Sequence, residues 1–336
     1  MKILIRCPNW VGDIVMATPV FRCVKENFPK AKVTALVRKY ALGVIESSPH
    51  FDTIIIAEDK SFYELFKLAI KLRKESFDLA ILLTNSPRAF LPIYFAGIKK
   101  IIAYRRNIQK FFVDGPVPLK ENGKIKAIPM TDYYVELCRF MGLKIPNPLE
   151  TELFVSEEDE KEIDLLFEKS GISNKEKIIC LNPGAKFGSS KCWTPANFAK
   201  LADLVSAEFS ARIILVSGPG EEKIASEILS LSNTEIIHFG NLNLSRLKAL
   251  IKRVSILVTN DTGPRHYATA FKVPAVVILG PTNPAYTEYG LEITSFVKAE
   301  VKCSPCHLRI CPRNHECMKM ISPELLMEYL RKYLKS

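Results

Sequence analysis

Four short stretches carry residues able to do chemistry. In the first, Asn9-Trp10-Val11-Gly12-Asp13 follows the apolar segment Lys2–Cys7 and opens a helical pattern. A carboxylate at a helix start is favoured by the helix dipole whatever its role. As a working group, Asp13 would be a general base that takes a proton from a substrate hydroxyl. In the second, Asn182-Pro183-Gly184-Ala185-Lys186-Phe187-Gly188-Ser189-Ser190-Lys191-Cys192-Trp193 lies between a strand-like run and a helix. Its glycines, serines and lysines supply the backbone donors, hydroxyls and positive charge that a diphosphate needs. The Gly-Lys-Ser/Thr of a Walker loop is absent at the required spacing. A flexible loop with solvated lysines is the plain alternative.

The third stretch, Ser217-Gly218-Pro219-Gly220-Glu221-Glu222, is another strand-to-helix turn, where either glutamate could accept hydrogen bonds from a ribose. Ordinary first-turn helix chemistry explains it equally well. In the fourth, Thr259-Asn260-Asp261-Thr262-Gly263-Pro264-Arg265-His266 sits between the apolar Ser255–Val258 and a helical segment from Tyr267 to Phe271. Gly263 would let a ligand approach the backbone, and free N–H groups at a helix start attract phosphate. Asp261 would repel phosphate, so Asp261 and Thr262 address hydroxyls or orient amides, unless they are simply an N-cap.

Nine cysteines complete the inventory. Cys7, Cys23, Cys138, Cys180 and Cys192 are scattered as buried thiols would be. Cys303, Cys306, Cys311 and Cys317, with His307 and His315 among them, are dense. Their C-x2-C…C-x5-C spacing permits a structural zinc or an iron–sulfur centre, although the paired knuckles of a zinc ribbon are missing.

The elements that must position these stretches alternate. Strand-like runs at Val33–Val37, Thr53–Ile56, Leu79–Leu83 and Lys99–Tyr104 are separated by helical patterns, the clearest at Ser61–Lys74. Pro19 kinks or delays the first helix. After Pro146-Asn147-Pro148 and a charged helix at Glu157–Lys169, the alternation restarts at Ile178–Leu181 and runs to Ala275–Leu279. The pattern predicts an α/β fold of two domains, 1–170 and 171–336, facing a central cleft. The final helix, Pro323–Leu334, could pack on either domain.

No uncharged apolar run approaches the ~18 residues of a membrane span. Arg6, Pro8 and Asp13 interrupt the start, so the expectation is a cytoplasmic protein without a signal peptide. Residues 1–150 hold 24 Lys and Arg against 14 Asp and Glu, a net of +10; residues 151–336 hold 23 against 22. An acidic partner for the first domain follows, unless the charge only keeps the chain in solution. A nucleic-acid-binding reading would use that basic half and the cysteines, but no RNP-like aromatic pattern or helix-turn-helix supports it.

In combination, Asn9–Asp13, Asn182–Ala185, Lys191-Cys192-Trp193 and Thr259–His266 resemble the ADP-heptose:lipopolysaccharide heptosyltransferases, especially the heptosyltransferase II type. The tail from Cys303 to Met318 is similar to members of that group. The resemblance implies a GT-B fold of two Rossmann-like domains, with acceptor bound by the first and nucleotide-sugar by the second. It implies inverting transfer of heptose, with no cofactor beyond ADP-heptose, to the inner core of lipopolysaccharide, at the second heptose. Another nucleotide-sugar transferase or an epimerase of the same architecture is the nearest rival. Asp13 matches the family's base, Lys191 its diphosphate lysine, and Asp261, Thr262, Gly263 and His266 its donor turn. Gly184, Ala185, Lys186, Ser217, Glu221 and Glu222 complete the donor set; Asn9, Trp10, Gly12, Arg105 and Arg106 are the acceptor set. Arg265 stands where an apolar residue is usual. The anionic core also implies a peripheral place at the inner face of the inner membrane, with no nucleic-acid partner.

Overall fold

The computed structural model describes residues 1–59, 61–173 and 175–334. The chain divides into two compact units, one of Met1–Phe154 with Ala285–Tyr289, the other of Val155–Pro284 with Gly290–Ser336.

In the first unit the order is β1 (Lys2–Arg6), α1 (Val11–Met16), α2 (Thr18–Asn27), β2 (Lys32–Val37), α3 (Leu42–Ile45) and β3 (Thr53–Ile56). Then come α4 (Phe62–Glu75), β4 (Leu79–Leu82), α5 (Pro87–Phe95), β5 (Lys100–Ile102), the short pair β6 (Lys120–Glu121) and β7 (Lys124–Ile125), and α6 (Met130–Phe140). Pro19 sits in the first turn of α2, so the helical pattern after β1 is two helices broken at Ala17. That position suits proline, whose missing N–H would have no intrahelical partner there. The α4 start is a capping box: Ser61 Oγ accepts from Glu64 N at 3.2 Å, and Glu64 Oε2 accepts from Ser61 N at 2.8 Å.

Five strands pair in parallel in the order β3-β2-β1-β4-β5. Their side chains are mostly buried because helices cover both faces, which is why they read as continuous apolar runs.

The second unit runs α7 (Glu157–Lys169), β8 (Lys177–Asn182), α8 (Pro195–Glu208), β9 (Ala211–Ser217), α9 (Glu222–Leu231), β10 (Ile237–Gly240) and α10 (Leu244–Arg253). It continues with β11 (Ile256–Asn260), α11 (Gly263–Ala270), β12 (Ala275–Leu279), β13 (Thr294–Lys298), α12 (Glu316–Lys319) and α13 (Pro323–Leu334). Its six strands are all parallel, in the order β10-β9-β8-β11-β12-β13.

The expected division after residue 170 differs from this one because α7 belongs to the second unit. It packs on α10, and Arg246, Lys252 and Arg253 of α10 pair with Glu162, Glu160 and Asp164. The final helix, α13, packs on α8 and contributes Leu326, Met327 and Leu330 to the second core.

Each strand order contains one reversal. In the first unit the chain builds outward from β1 to β3, then returns to place β4 on the other side of β1. In the second it builds from β8 to β10, then places β11 beside β8. Ligands of open α/β sheets bind at such reversals, outside the carboxyl ends of the strands. The Asp13 stretch leaves β1, and the Lys191 and Asp261 stretches leave β8 and β11. The sheet topology therefore sets the chemically equipped loops at the one place in each unit where two neighbouring connections diverge.

Candidate active site

In the first unit, Asp13 lies in the first turn of α1 and is half-buried. The Tyr134 hydroxyl of α6 donates to Asp13 Oδ1 at 3.1 Å. Burial, with the Asp13 charge facing it, pushes the Tyr134 phenol well above its ordinary range, so it remains a donor. The loop before Asp13 is fixed from beneath. Arg6 Nη2 and Arg38 Nε both donate to Asn9 Oδ1, at 3.0 and 3.2 Å, and the Tyr40 hydroxyl donates to the Asn9 carbonyl.

Arg6 and Asp59 are both buried and lie 3.6 Å apart, while Arg38 reaches Asp59 at 2.8 Å. A buried cation is tolerated only when paired and hydrogen-bonded, as this one is. Asn9 is thus held by the network and Trp10 is half-exposed, while Gly12 is the second residue of α1. Arg105 and Arg106 follow β5, two strands from β1 in the sheet order.

In the second unit, the loops after β8 and β11 are joined. Lys191 Nζ donates to Asp261 Oδ2 at 2.7 Å and to the Asp261 carbonyl at 2.9 Å. Asn182 Nδ2 donates to Thr259 Oγ1 at 2.7 Å, Asn260 Nδ2 to the Pro183 carbonyl at 2.6 Å, and Trp193 N to Asn260 Oδ1 at 3.1 Å. Buried Trp193 ends the loop: its indole donates to Ile321 O at 2.9 Å and its ring meets Phe198 edge-on.

Asp261 is therefore turned to Lys191. Thr262 is the N-cap of α11 but makes no side-chain capping bond. Burial raises the Asp261 carboxyl, but the charges of Lys191 and Arg265 outweigh it and the net shift is downward. Arg265 is fully buried, 4.0 Å from Asp261 Oδ1, with its guanidinium over the Phe296 ring at 4.8 Å. Burial, then the Arg265 charge, lowers His266 well below the usual imidazole value. His266 is accordingly neutral near pH 7 and offers a hydrogen bond rather than a charge.

The third loop joins these two. Glu221 Oε2 accepts from Gly218 N at 2.7 Å, and a Cβ on Gly184 would lie 2.0 Å from the Glu221 carboxylate. Gly184 is needed for that close approach. Ser217 Oγ bonds His238 Nε2 at 2.9 Å. Glu222 points away: it is exposed and accepts from Gly220 N at 3.1 Å, so only Glu221 of the pair reaches the Gly184 loop. Ala185 is half-buried and Lys186 exposed.

The cysteine segment braces this site. Ser190 N donates to Arg309 O at 3.2 Å, Ser190 Oγ to Leu308 O at 2.5 Å, and Gly188, at φ +155°, passes close under the Arg309 carbonyl. Lys191 Nζ and the Arg309 guanidinium both lie over the Phe187 ring, at 5.1 and 5.6 Å. Cys303, Cys306, Cys311 and Cys317 are free thiols. Among the described residues no group of three or more His, Cys, Asp or Glu is arranged to hold a metal, so the metal that their spacing permits gains no support.

Sequence reading missed Arg6, Arg38, Asp59, Tyr134 and Arg309, and it quoted Asn260 and Phe187 within their loops without giving either a role. Arg6 alone left a signal, a charge inside an otherwise apolar parallel strand.

This geometry can be set against known proteins. The family model described as glycosyltransferase family 9 (heptosyltransferase) matches residues 65–316. The chain belongs to that family. It is a glycosyltransferase. It is 30% identical over 341 residues to lipooligosaccharide heptosyltransferase 2 of Campylobacter jejuni, covering 99% of both chains. It is 27% identical over 302 residues to lipopolysaccharide heptosyltransferase 2 of Escherichia coli, covering 85% of each. The solved structure of the E. coli ADP-heptose lps heptosyltransferase II matches with a TM-score of 0.82 and 25% identity, covering 100% of this chain and 99% of that one. The two parallel-sheet units of this glycosyltransferase are those of the GT-B class. Neither the epimerase nor the nucleic-acid reading is favoured by these relatives. No helix among the described residues is long and apolar enough to cross a membrane.

Proposed function

We propose that this glycosyltransferase moves heptose from ADP-heptose to the inner core of lipopolysaccharide, at the second heptose, with inversion at the anomeric carbon. The observation that carries the reading is the Lys191–Asp261 pair at the sheet reversal of the second unit. Lys191, with Lys186 beside it, receives the diphosphate, and the N–H groups opening α11 at Gly263 complete its anion site. Ala185, Thr262 and neutral His266 contact the donor, Ser217 and Glu221 face its ribose, and Glu222 is the weaker candidate.

Asp13 takes the proton from the acceptor hydroxyl as that oxygen attacks the anomeric carbon from the face opposite ADP. One C–O bond forms and the bond to the ADP oxygen breaks. The single displacement inverts the carbon through a transition state of oxocarbenium character. The charge growing on ADP is stabilised by Lys191 and the α11 amides. The Tyr134 hydroxyl holds Asp13 in its aim. The step calls for no cofactor beyond the donor.

Asn9, Trp10, Gly12, Arg105 and Arg106 face the acceptor, whose phosphates and carboxylates suit the net +10 of residues 1–150. The enzyme then works in the cytoplasm, peripheral at the inner face of the inner membrane. Incubation with ADP-heptose and a core acceptor carrying one heptose tests the reading. It requires a product one heptose heavier and an anomeric configuration opposite to the donor's. Turnover of another nucleotide-sugar only would sink it.

A further inference from the structure

Helix α4 carries two apolar stripes where the fold needs one. Leu65, Leu68, Ala69 and Leu72 are buried and face the sheet. Phe62, Phe66 and Ile70 recur at the i, i+4, i+8 spacing of a second face. Phe62 is 85% exposed and Phe66 65%. Beside them Tyr63, 75% exposed, continues into exposed Lys67 and Lys71. Leaving these phenylalanines in water forgoes the gain of burying them, and a contiguous exposed apolar patch of this kind marks an interaction surface.

The layer extends past α4. Helix α5 packs on it, and Tyr94 at the end of α5 meets Phe112 at 5.0 Å, edge-on. Phe112 closes the one-turn 3-10 helix Ile108–Phe111, where Phe111 is 73% exposed beneath the Lys110 ammonium, 4.8 Å from its ring.

Charge selects the occupant. Lys67, Lys71, Arg73 and Lys74 of α4 are exposed. Of its two acids, Glu64 is committed to the capping box and Glu75 lies 3.7 Å from Lys2. A second copy meeting this face by two-fold symmetry would set lysines against lysines, and an uncharged apolar partner would have to desolvate them. An anionic bilayer surface takes both kinds of side chain, rings at the level of the headgroups and ammonium groups on phosphates.

We propose that the outer face of α4, continued through α5 to the Ile108–Phe112 turn, docks this enzyme on an anionic phospholipid surface. Phe62, Phe66 and Phe111 enter the interfacial layer, and Lys67, Lys71 and Lys110 sit among the headgroup phosphates. The proposal deepens the reading of a membrane-borne acceptor, on which its purpose rests, but its test needs neither substrate.

The full chain is sedimented with vesicles of equimolar phosphatidylglycerol and phosphatidylethanolamine, and with pure phosphatidylcholine vesicles. Partitioning should favour the anionic vesicles and fall as salt rises. Phe62→Ser with Phe66→Ser should lower it at least about tenfold. Lys67→Gln with Lys71→Gln should also lower it about tenfold or more, and weaken the salt dependence. Both pairs should keep wild-type kcat/KM on a water-soluble, lipid-free acceptor. Wild-type vesicle binding by the variants, or no preference for anionic vesicles, would overturn the proposal. So would a wild-type dimer that the phenylalanine variant dissolves, or lost turnover on the soluble acceptor, which would make the face an acceptor site. Vesicle binding that persists in a protein without heptosyl transfer would leave this surface standing and remove the proposed donor and acceptor instead.

Discussion

Lys191 and Asp261, 70 residues apart, meet at 2.7 Å between the loops that leave β8 and β11. One lysine thereby ties both walls of the site, and its ammonium is partly neutralised until a diphosphate competes for it. Lys191→Ala should weaken ADP binding by about 1.5–3 kcal/mol, the range for a charge-assisted contact. Calorimetry giving equal ADP affinity would reduce the loop to a connection.

His266 and Asp261 both make the fold acid-sensitive, in different windows. The folded His266 pKa lies below the unfolded value near 6.5, so the unfolded state binds the extra proton as pH falls. Stability should drop below about pH 6.5 by up to about 1.4 kcal/mol per pH unit from this group. Asp261, lowered from 3.8, adds stability that is present above that value and lost as pH falls through its folded pKa. His266→Asn should flatten the first window relative to wild type and leave the second. Parallel melting-temperature profiles for the two proteins would show the histidine does not carry it.

Asp13 and Tyr134 should separate by their kinetics. Asp13→Asn should lower kcat at least ~100-fold with ADP affinity nearly unchanged, as for a lost general base. Tyr134→Phe removes only the 3.1 Å bond that aims the carboxylate, so it should lower kcat by about tenfold, as loss of one hydrogen bond to a charge does. Near-normal turnover by Asp13→Asn would take that residue out of the chemistry.

Gly184→Ala would push the Glu221 carboxylate away and break its bond to Gly218 N. We expect donor affinity to fall by about 1–2 kcal/mol, and Gly184→Ala combined with Glu221→Ala to cost no more than Glu221→Ala alone. Additive losses in that cycle would mean the two do not act together.

The four clustered cysteines should titrate as free thiols in the unfolded enzyme, with the segment acting through its backbone on Ser190. Stoichiometric zinc or iron in untagged protein would assign them a metal instead.

The sequence by itself determined the local pattern: which runs are buried parallel strands, where helices start, and that Asp13, Lys191 and Asp261 stand at strand-to-helix turns. Such features are set by periodicity, proline placement and capping within a few residues. Helices α7 and α13 were legible to their last residue for that reason. Only the tertiary structure decided which turns adjoin. Strand order depends on packing between distant segments, so the reversals beside β1 and β8, and with them the Lys191–Asp261 contact, have no local signature. The same holds for Tyr134, which reaches Asp13 across 121 residues, and for the transfer of α7 to the second unit, made by ion pairs with a helix some 90 residues away. Periodicity places Phe62, Phe66 and Ile70 on one side of a helix, but only packing shows that this side faces water, because α4 already spends its other apolar stripe on the sheet.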